Sequence, residues 1–183
     1  MRRCLNLSPR HALLAGCALA LLPGLAVADN FPPMRSGLWM SSMVMHMNMA
    51  GQPPDTDNTP MVRYNCIDGT TFAATMKMMS GMMKGCVTSM TGSGGVYTLT
   101  IHCTNPDGLT GSLDGTTTIT ASGDTALHMV GTTVSALSGM KSTSDSNGDV
   151  KWLEDCPAGI VPGDYGTMQN GVFTKQGSIL SAP

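Results

Sequence analysis

A period-two alternation of side chains is the feature of this sequence that most constrains its fold. Between Gly37 and Met49, large apolar residues occupy one face of an extended segment, and mostly smaller or polar residues occupy the other. Such alternation is typical of a half-buried β-strand. The first face carries Trp39, Met43, Met45, Met47 and Met49, and the second carries Ser42, Val44, His46 and Asn48.

Short runs rich in threonine and valine follow residue 86, and they flank glycine-rich or Asn-Gly turn signals. Together with Met61–Cys66 as a second strand, they predict a mainly β fold, either a curved antiparallel meander sheet or a partly open barrel. The paired runs are 87–91 and 96–103 around a turn at 92–95, 109–120 and 125–134 around 122–124, and 143 and 150–153 around Asn147-Gly148.

Residues 72–83 have the periodicity of a helix instead, because apolar side chains recur every three or four positions. Asp68 or Thr70 is expected to cap the first turn of this single short helix. The apolar stripe consists of Phe72, Met76, Met79 and Met83.

The N-terminus has the features of a cleaved secretory signal. Three arginines accompany an apolar stretch that runs from Ala12 to Ala28 and ends in Ala-Val-Ala. The alternative is a lipoprotein signal acylated at Cys17, but most of the apolar stretch follows that cysteine. We therefore expect export to the periplasm, and no later segment is apolar enough to span a membrane as a helix.

Removing residues 1–28 leaves seven of the ten Lys and Arg residues against all 12 Asp and Glu residues, a net charge of −5. This acidity argues against nucleic-acid binding, which needs a basic surface. The remaining 155 of 183 residues are enough for one domain with a core. We expect a β-rich domain over 29–156 and a C-terminal extension, 157–183, that either adds an edge strand or stays loose.

Four cysteines remain after the signal, and an oxidising compartment favours two disulfides between them. If a hairpin turn is centred at 94–95, cross-strand partners have numbers that sum to 189, which pairs Cys86 with Cys103. Cys66 then pairs with Cys156. This is one of the three connectivities that four cysteines allow, and it depends on the assumed turn centre.

The segment Arg35-Ser36-Gly37-Leu38-Trp39 resembles the Pro-Gly-Leu-Trp opening of the domain of unknown function 3617 family, with Ser36 where proline is usual. That family continues with a Met-rich strand, a Pro/Gln-rich loop, a cysteine that begins a short helix, a Cys-hairpin-Cys unit and a last cysteine. The resemblance implies a periplasmic, β-rich, four-cysteine domain, and it implies no established activity or catalytic residues. The corresponding segments are 40–49, 52–54, Cys66, 86–103 and 152–156.

Methionine is unusually frequent, and 13 of the 16 methionines that follow the signal lie between Met34 and Met90. Thioether sulfur is a soft ligand that suits Cu(I), and three such groups would hold one ion if the strand and the helix faced each other. Core packing and sacrificial oxidation are the competing interpretations. The candidate ligands are Met43, Met45, Met47, Met49, Met76, Met79 and Met83.

Other chemistries have little support in the sequence. His46, His102 and His128 are expected to be solvated strand residues, and Glu154 is the only glutamate. The segment 145–149 superficially resembles a calcium loop, but a hairpin turn explains it better. We therefore predict a monomeric, non-enzymatic binding or envelope accessory protein whose partner is an envelope protein or a small apolar ligand. The alternative is a Cu(I)-binding or copper-tolerance protein, with Cu(I) as the only candidate cofactor.

Overall fold

The computed structural model describes residues 31–82 and 84–181. The expected signal peptide at 1–28, with Cys17, and the candidate ligand Met83 lie outside the described residues. Most of the described chain is β-strand, with one α-helix. The strands are β1 Gly37–Met49, β2 Met61–Ile67, β3 Cys86–Ser93, β4 Val96–Thr104, β5 Gly111–Ser122, β6 Ala126–Leu137, β7 Met140–Glu154, β8 Asp164–Gln169 and β9 Val172–Ser178, and the helix is α1 Gly69–Met82.

The nine strands form one open antiparallel sheet in the order β3-β4-β5-β6-β7-β1-β2-β8-β9. Strands β3 to β7 follow one another as a meander. Strand β1 then lies beside β7 through 12 residue pairs, from Leu38 to Met49. The predicted fold class, a mainly β antiparallel sheet with one short helix and two disulfides, is confirmed.

Three glycines on adjacent strands lie where neighbouring side chains approach one face of the sheet closely. Gly115, Gly131 and Gly148 are buried on β5, β6 and β7, and all three belong to the face that carries Met43. A Cβ atom on any of them would come within 2.6–2.7 Å of a side-chain atom from a neighbouring strand. Glycine at these three positions leaves room for the neighbouring side chains on this face. We call this side the inner face.

The most deeply buried part of the sheet lies where β1 begins. Leu38 and Trp39 are completely buried, and the Trp39 indole N–H donates to the carbonyl of Arg35 at 2.8 Å. Ile119 and Leu127 are buried on the same face as Trp39, at 2% and 4% exposure. Each fully buried apolar side chain of this size contributes about 1.5–3 kcal/mol, so this cluster forms the core.

The two disulfides join the pairs expected from the hairpin register. Cys86 lies directly opposite Cys103, because β3 and β4 are joined by a turn at Gly94-Gly95, where both φ angles are positive. Cys66, at the end of β2, is bonded to Cys156, which follows β7. The second bond therefore ties together residues 90 positions apart.

The turn predicted at Asn147-Gly148 is wrong. The chain turns instead at Ser138-Gly139, with φ angles of 50° and 83°, and β7 runs without interruption through 147 and 148. Pairing with both β6 and β1 holds this polar segment extended. Gly148 is accommodated because its missing side chain leaves room for Met43. The segment 145–149 is therefore strand and not a hairpin turn.

The helix begins three residues earlier than predicted, because Asp68 caps it. The Asp68 carboxylate accepts the backbone N–H of Thr71 at 2.6 Å and its hydroxyl at 2.7 Å. These hydrogen bonds hold the pKa of Asp68 below its ordinary value. Phe72 packs edge-on against Phe31 with ring centroids 5.7 Å apart, which fixes the first turn against the chain that leads into β1.

The C-terminal extension adds the last two strands of the sheet. Strands β8 and β9 form a hairpin around Asn170-Gly171, and β8 pairs with β2 through only two residue pairs. Inside the hairpin, the buried Asp164 forms an ion pair with Lys175 at 2.7 Å, which lowers the pKa of that carboxyl group. The division of the chain after Cys156 stays a prediction.

Candidate binding surface

Four methionines form a continuous row along the inner face of β1. Met43, Met45, Met47 and Met49 occupy alternate positions, and their partners on β7 are Gly148 and three serines. We call these four residues the methionine row and Ser142, Ser144 and Ser146 the serine row. Because the serine side chains are short, the methionines rise above their neighbours on β7.

The outer part of the methionine row is accessible to solvent. Met45, Met47 and Met49 have 42%, 49% and 42% of their surface exposed, whereas Trp39 on the same face of the same strand has none. Side chains that only fill a core would be buried. Core packing therefore does not account for these three methionines.

The exposure follows from where β2 starts. Strand β2 pairs with β1 only between Gly37 and Met43, so among the described residues Met45, Met47 and Met49 have a strand neighbour on one side only. The loop that follows β1 lies along the other side. There the Asp55 carboxylate accepts the backbone N–H of Met47 at 3.2 Å, which helps to lower the pKa of Asp55 after the larger effect of its hydrogen bond with Asp57.

Met61 belongs to the same surface, although the sequence did not identify it as a candidate. It is the first residue of β2, lies directly opposite Met43, and is 59% exposed. The only sequence signal was its place at the start of the predicted strand 61–66. The register between β1 and β2 was needed to bring it next to the methionine row.

Small residues of β7 and β6 separate the methionine row from apolar residues on the same face, and we call this strip the trough. Within it, the serine row lies opposite Gly131, Thr133 and Ser135. The hydroxyls of Ser135 and Ser142 are 2.7 Å apart and bond to each other. The far side is apolar and is formed by Leu99, Ile101 and Leu113, which the register places on the same face.

The helical candidates lie outside the side chains that the structure describes, so their place relative to the methionine row stays a prediction. Met76 and Met79 lie on α1, but their side chains are not among the described ones, and Met83 is not described. Within the described part of the chain, no three His, Cys, Asp or Glu side chains are grouped so as to hold a metal ion.

The outer face of the sheet is polar and carries the three predicted histidines. His102 pairs with Asp114 at 2.5 Å and His128 pairs with Asp149 at 3.0 Å, and all four side chains are about half exposed or more. Neither imidazole bonds to a serine or threonine hydroxyl of the described residues. His102 and His128 are solvated, as the sequence predicted.

His46 points away from the methionine row, as its position in the alternation predicted. It lies opposite Asp145 at an open cleft of about 560 Å³ on the outer face. Its Nδ1 atom is buried and has no hydrogen-bond partner among the described residues, so the expectation of a solvated imidazole is wrong for this nitrogen. The imidazole therefore stands on the opposite side of the sheet from the thioethers and does not complete a ligand set with them.

In residues 31–82 and 84–181, no helix is both long enough and apolar enough to cross a membrane.

Comparison with known proteins places most of this chain in one family. Residues 34–156 match the model of a family described as "Protein of unknown function (DUF3617)". No curated protein and no solved structure gives a significant match. The matched span includes the methionine row, Met61, the trough and both disulfides.

Proposed function

This chain belongs to the DUF3617 family of proteins of unknown function, and we propose from its surface that it is an exported, non-enzymatic binding protein. Its ligand is a small apolar molecule, which lies in the trough beside the methionine row. The single observation that carries this proposal is the exposure of Met45, Met47 and Met49 on a face that is otherwise used for the core.

The chemistry of the trough suits such a ligand. Two apolar sides bury its surface, which contributes about 25 cal/mol per Å² removed from water. The hydroxyls of the serine row supply hydrogen bonds that fix its orientation, as in many small-molecule sites. Methionine adapts its shape to different ligands because its side chain is flexible and polarizable.

The disulfides support a location outside the cytoplasm. Two pairs of cysteine sulfur atoms lie at bonding distance, which fits an oxidising extracellular compartment where disulfides persist. The arginines and the apolar stretch within residues 1–28 support export through a cleaved signal to the periplasm.

The absence of catalytic pairing among the described residues favours a binding role over an enzymatic one. The His–Asp pairs of the outer face are solvent-exposed and lack a hydroxyl nucleophile in the described part of the chain. Catalytic acids and bases are usually placed in clefts that exclude water.

Titration with the apolar fluorescent probe 1-N-phenylnaphthylamine tests the apolar-ligand proposal. We expect saturable binding with a blue-shifted emission, and we expect the Met45→Ser, Met47→Ser, Met49→Ser triple variant to bind about tenfold more weakly, because it removes apolar surface from the trough.

The matched control replaces three exposed valines of the outer face, Val87, Val96 and Val134, with serine. This control should keep the affinity of the wild type. An equal loss in both variants, or no saturable binding by the wild type, would contradict the proposal.

Binding of Cu(I) is a second candidate function. The observation that favours it is the placement of five thioethers, the methionine row and Met61, on one accessible face. Thioethers select Cu(I) over harder ions, and the periplasm is an oxidising compartment in which free thiolates are scarce.

A further inference from the structure

We propose that Met43, Met45 and Met61 form a Cu(I) site of three thioether sulfurs at the point where β2 begins. The inference rests on the second candidate function above and gives it a location. Met61 was not among the ligands predicted from the sequence, whereas the other two were.

The register brings these three residues into reach of one ion. Met43 and Met61 are directly opposed across β1 and β2, where Cα atoms of antiparallel pairs are about 4.5–5.5 Å apart. Met45 lies two residues farther along β1, about 7 Å from Met43 on the same face. Each side chain has three rotatable bonds, so the three sulfurs can converge above the gap between the strands.

The other methionines of this face are too far away. Met47 and Met49 lie about 13 and 20 Å from Met43 along β1, and the described part of β2 offers them no opposing residue. Met129 is separated from Met43 by β7, so its Cα atom lies about two strand spacings, or roughly 10 Å, away. These residues therefore serve as controls.

The immediate surroundings allow the ion to enter and the ligands to move. Met45 and Met61 are 42% and 59% exposed, so an ion or a copper donor can approach them. The side chain of Met43 lies over Gly148, where a Cβ atom would be 2.6 Å from its Cγ atom. In the proposed site Met43 rotates about χ1 from this position towards Met61, and residue 148 has no side chain that would block the movement.

Competition for Cu(I) with the chelator bathocuproine disulfonate tests the site. The oxidised mature protein is titrated under argon with Cu(I) supplied as its acetonitrile complex. We expect the wild type to compete at submicromolar affinity, and we expect Met61→Leu and Met43→Leu to weaken binding by about tenfold or more. Met49→Leu and Met129→Leu should stay within about twofold of the wild type.

The leucine variants separate this proposal from apolar binding in the trough. Leucine keeps the apolar volume of methionine but removes the sulfur, so Met61→Leu should bind 1-N-phenylnaphthylamine as the wild type does. Thermal melting of each variant confirms that it is folded.

Failure of the wild type to compete would overturn the copper site and leave the apolar-ligand proposal standing. An equal loss in Met61→Leu and Met129→Leu would overturn the assignment of the three ligands.

Discussion

The two ends of β1 differ sharply, although they share one strand, one face and one alternating pattern. Trp39 at the first end is completely buried, whereas Met47 near the other end is 49% exposed. The pattern therefore determines which face a side chain occupies, but not whether anything covers it. The covering is determined by neighbouring strands that are distant in sequence.

The buried end is enclosed from several sides. There β1 lies between β7 and β2, and Cys66 lies opposite Leu38 and carries the disulfide to Cys156. The residues before β1 also contribute, since the Arg35 N–H bonds to the carbonyl of Asp124 at 2.8 Å. At the methionine end β2 does not extend far enough to pair with β1, and the residues opposite on β7 are small.

Removal of the Cys66–Cys156 disulfide at the buried end of β1 is expected to cause the largest loss of stability. The bond joins residues 90 positions apart, so the Cys66→Ala, Cys156→Ala variant should lose about 4–5 kcal/mol of unfolding free energy in urea. The Cys86→Ala, Cys103→Ala variant removes a bond between residues 17 apart and should lose about 3 kcal/mol. A larger loss in the second variant would show that the buried end is not the more strongly constrained one.

A pair of truncations on the two ends of β1 compares them directly. Trp39→Ala removes a completely buried indole and should cost about 3–5 kcal/mol. Met47→Ala removes a half-exposed side chain and should change stability by less than about 0.5 kcal/mol. Urea unfolding of both variants measures the two values. A loss of several kcal/mol in Met47→Ala would mean that the methionine row is part of the core.

A smaller, pH-dependent effect is expected from Asp68, which caps the helix that follows the buried end. Asp68→Ala should cost about 1 kcal/mol at neutral pH. Because hydrogen bonds from Thr71 lower the pKa of Asp68 from 3.8, its stabilising effect is complete above that value and disappears as the pH falls through the lowered pKa.

Melting curves from pH 7 to pH 2 should therefore show the gap between wild type and Asp68→Ala closing in acid. A gap that is constant down to pH 2 would exclude a charged cap.

Local patterns in the sequence predicted the parts of the fold that depend on neighbours in the chain. Strand β1 was predicted with its observed bounds, and the turn at Gly94-Gly95 gave both the β3–β4 register and the Cys86–Cys103 pair. Both results depend on periodicity or turn chemistry within about 20 residues. Such signals can be recognised from the local sequence alone.

The parts that depend on distant neighbours were not predictable in this way. Nothing near β1 indicates that it lies beside β7, and only that pairing makes Asn147-Gly148 a strand segment where a turn was expected. The role of Met61 needs the β1–β2 register. The β8–β9 hairpin lacks a clear alternation, because Gly166 and Gly177 interrupt its strands.

Mass mapping of limited oxidation by hydrogen peroxide tests most directly whether the methionine row is a surface. Thioethers convert to sulfoxides according to their accessibility, and the disulfides leave no free thiol among the described residues to compete. We predict that Met45, Met47, Met49 and Met61, like the 72% exposed Met140 outside the row, gain oxygen before the half-buried Met43 and Met129 do. Equal protection of Met47 and Met129 would contradict an exposed methionine row.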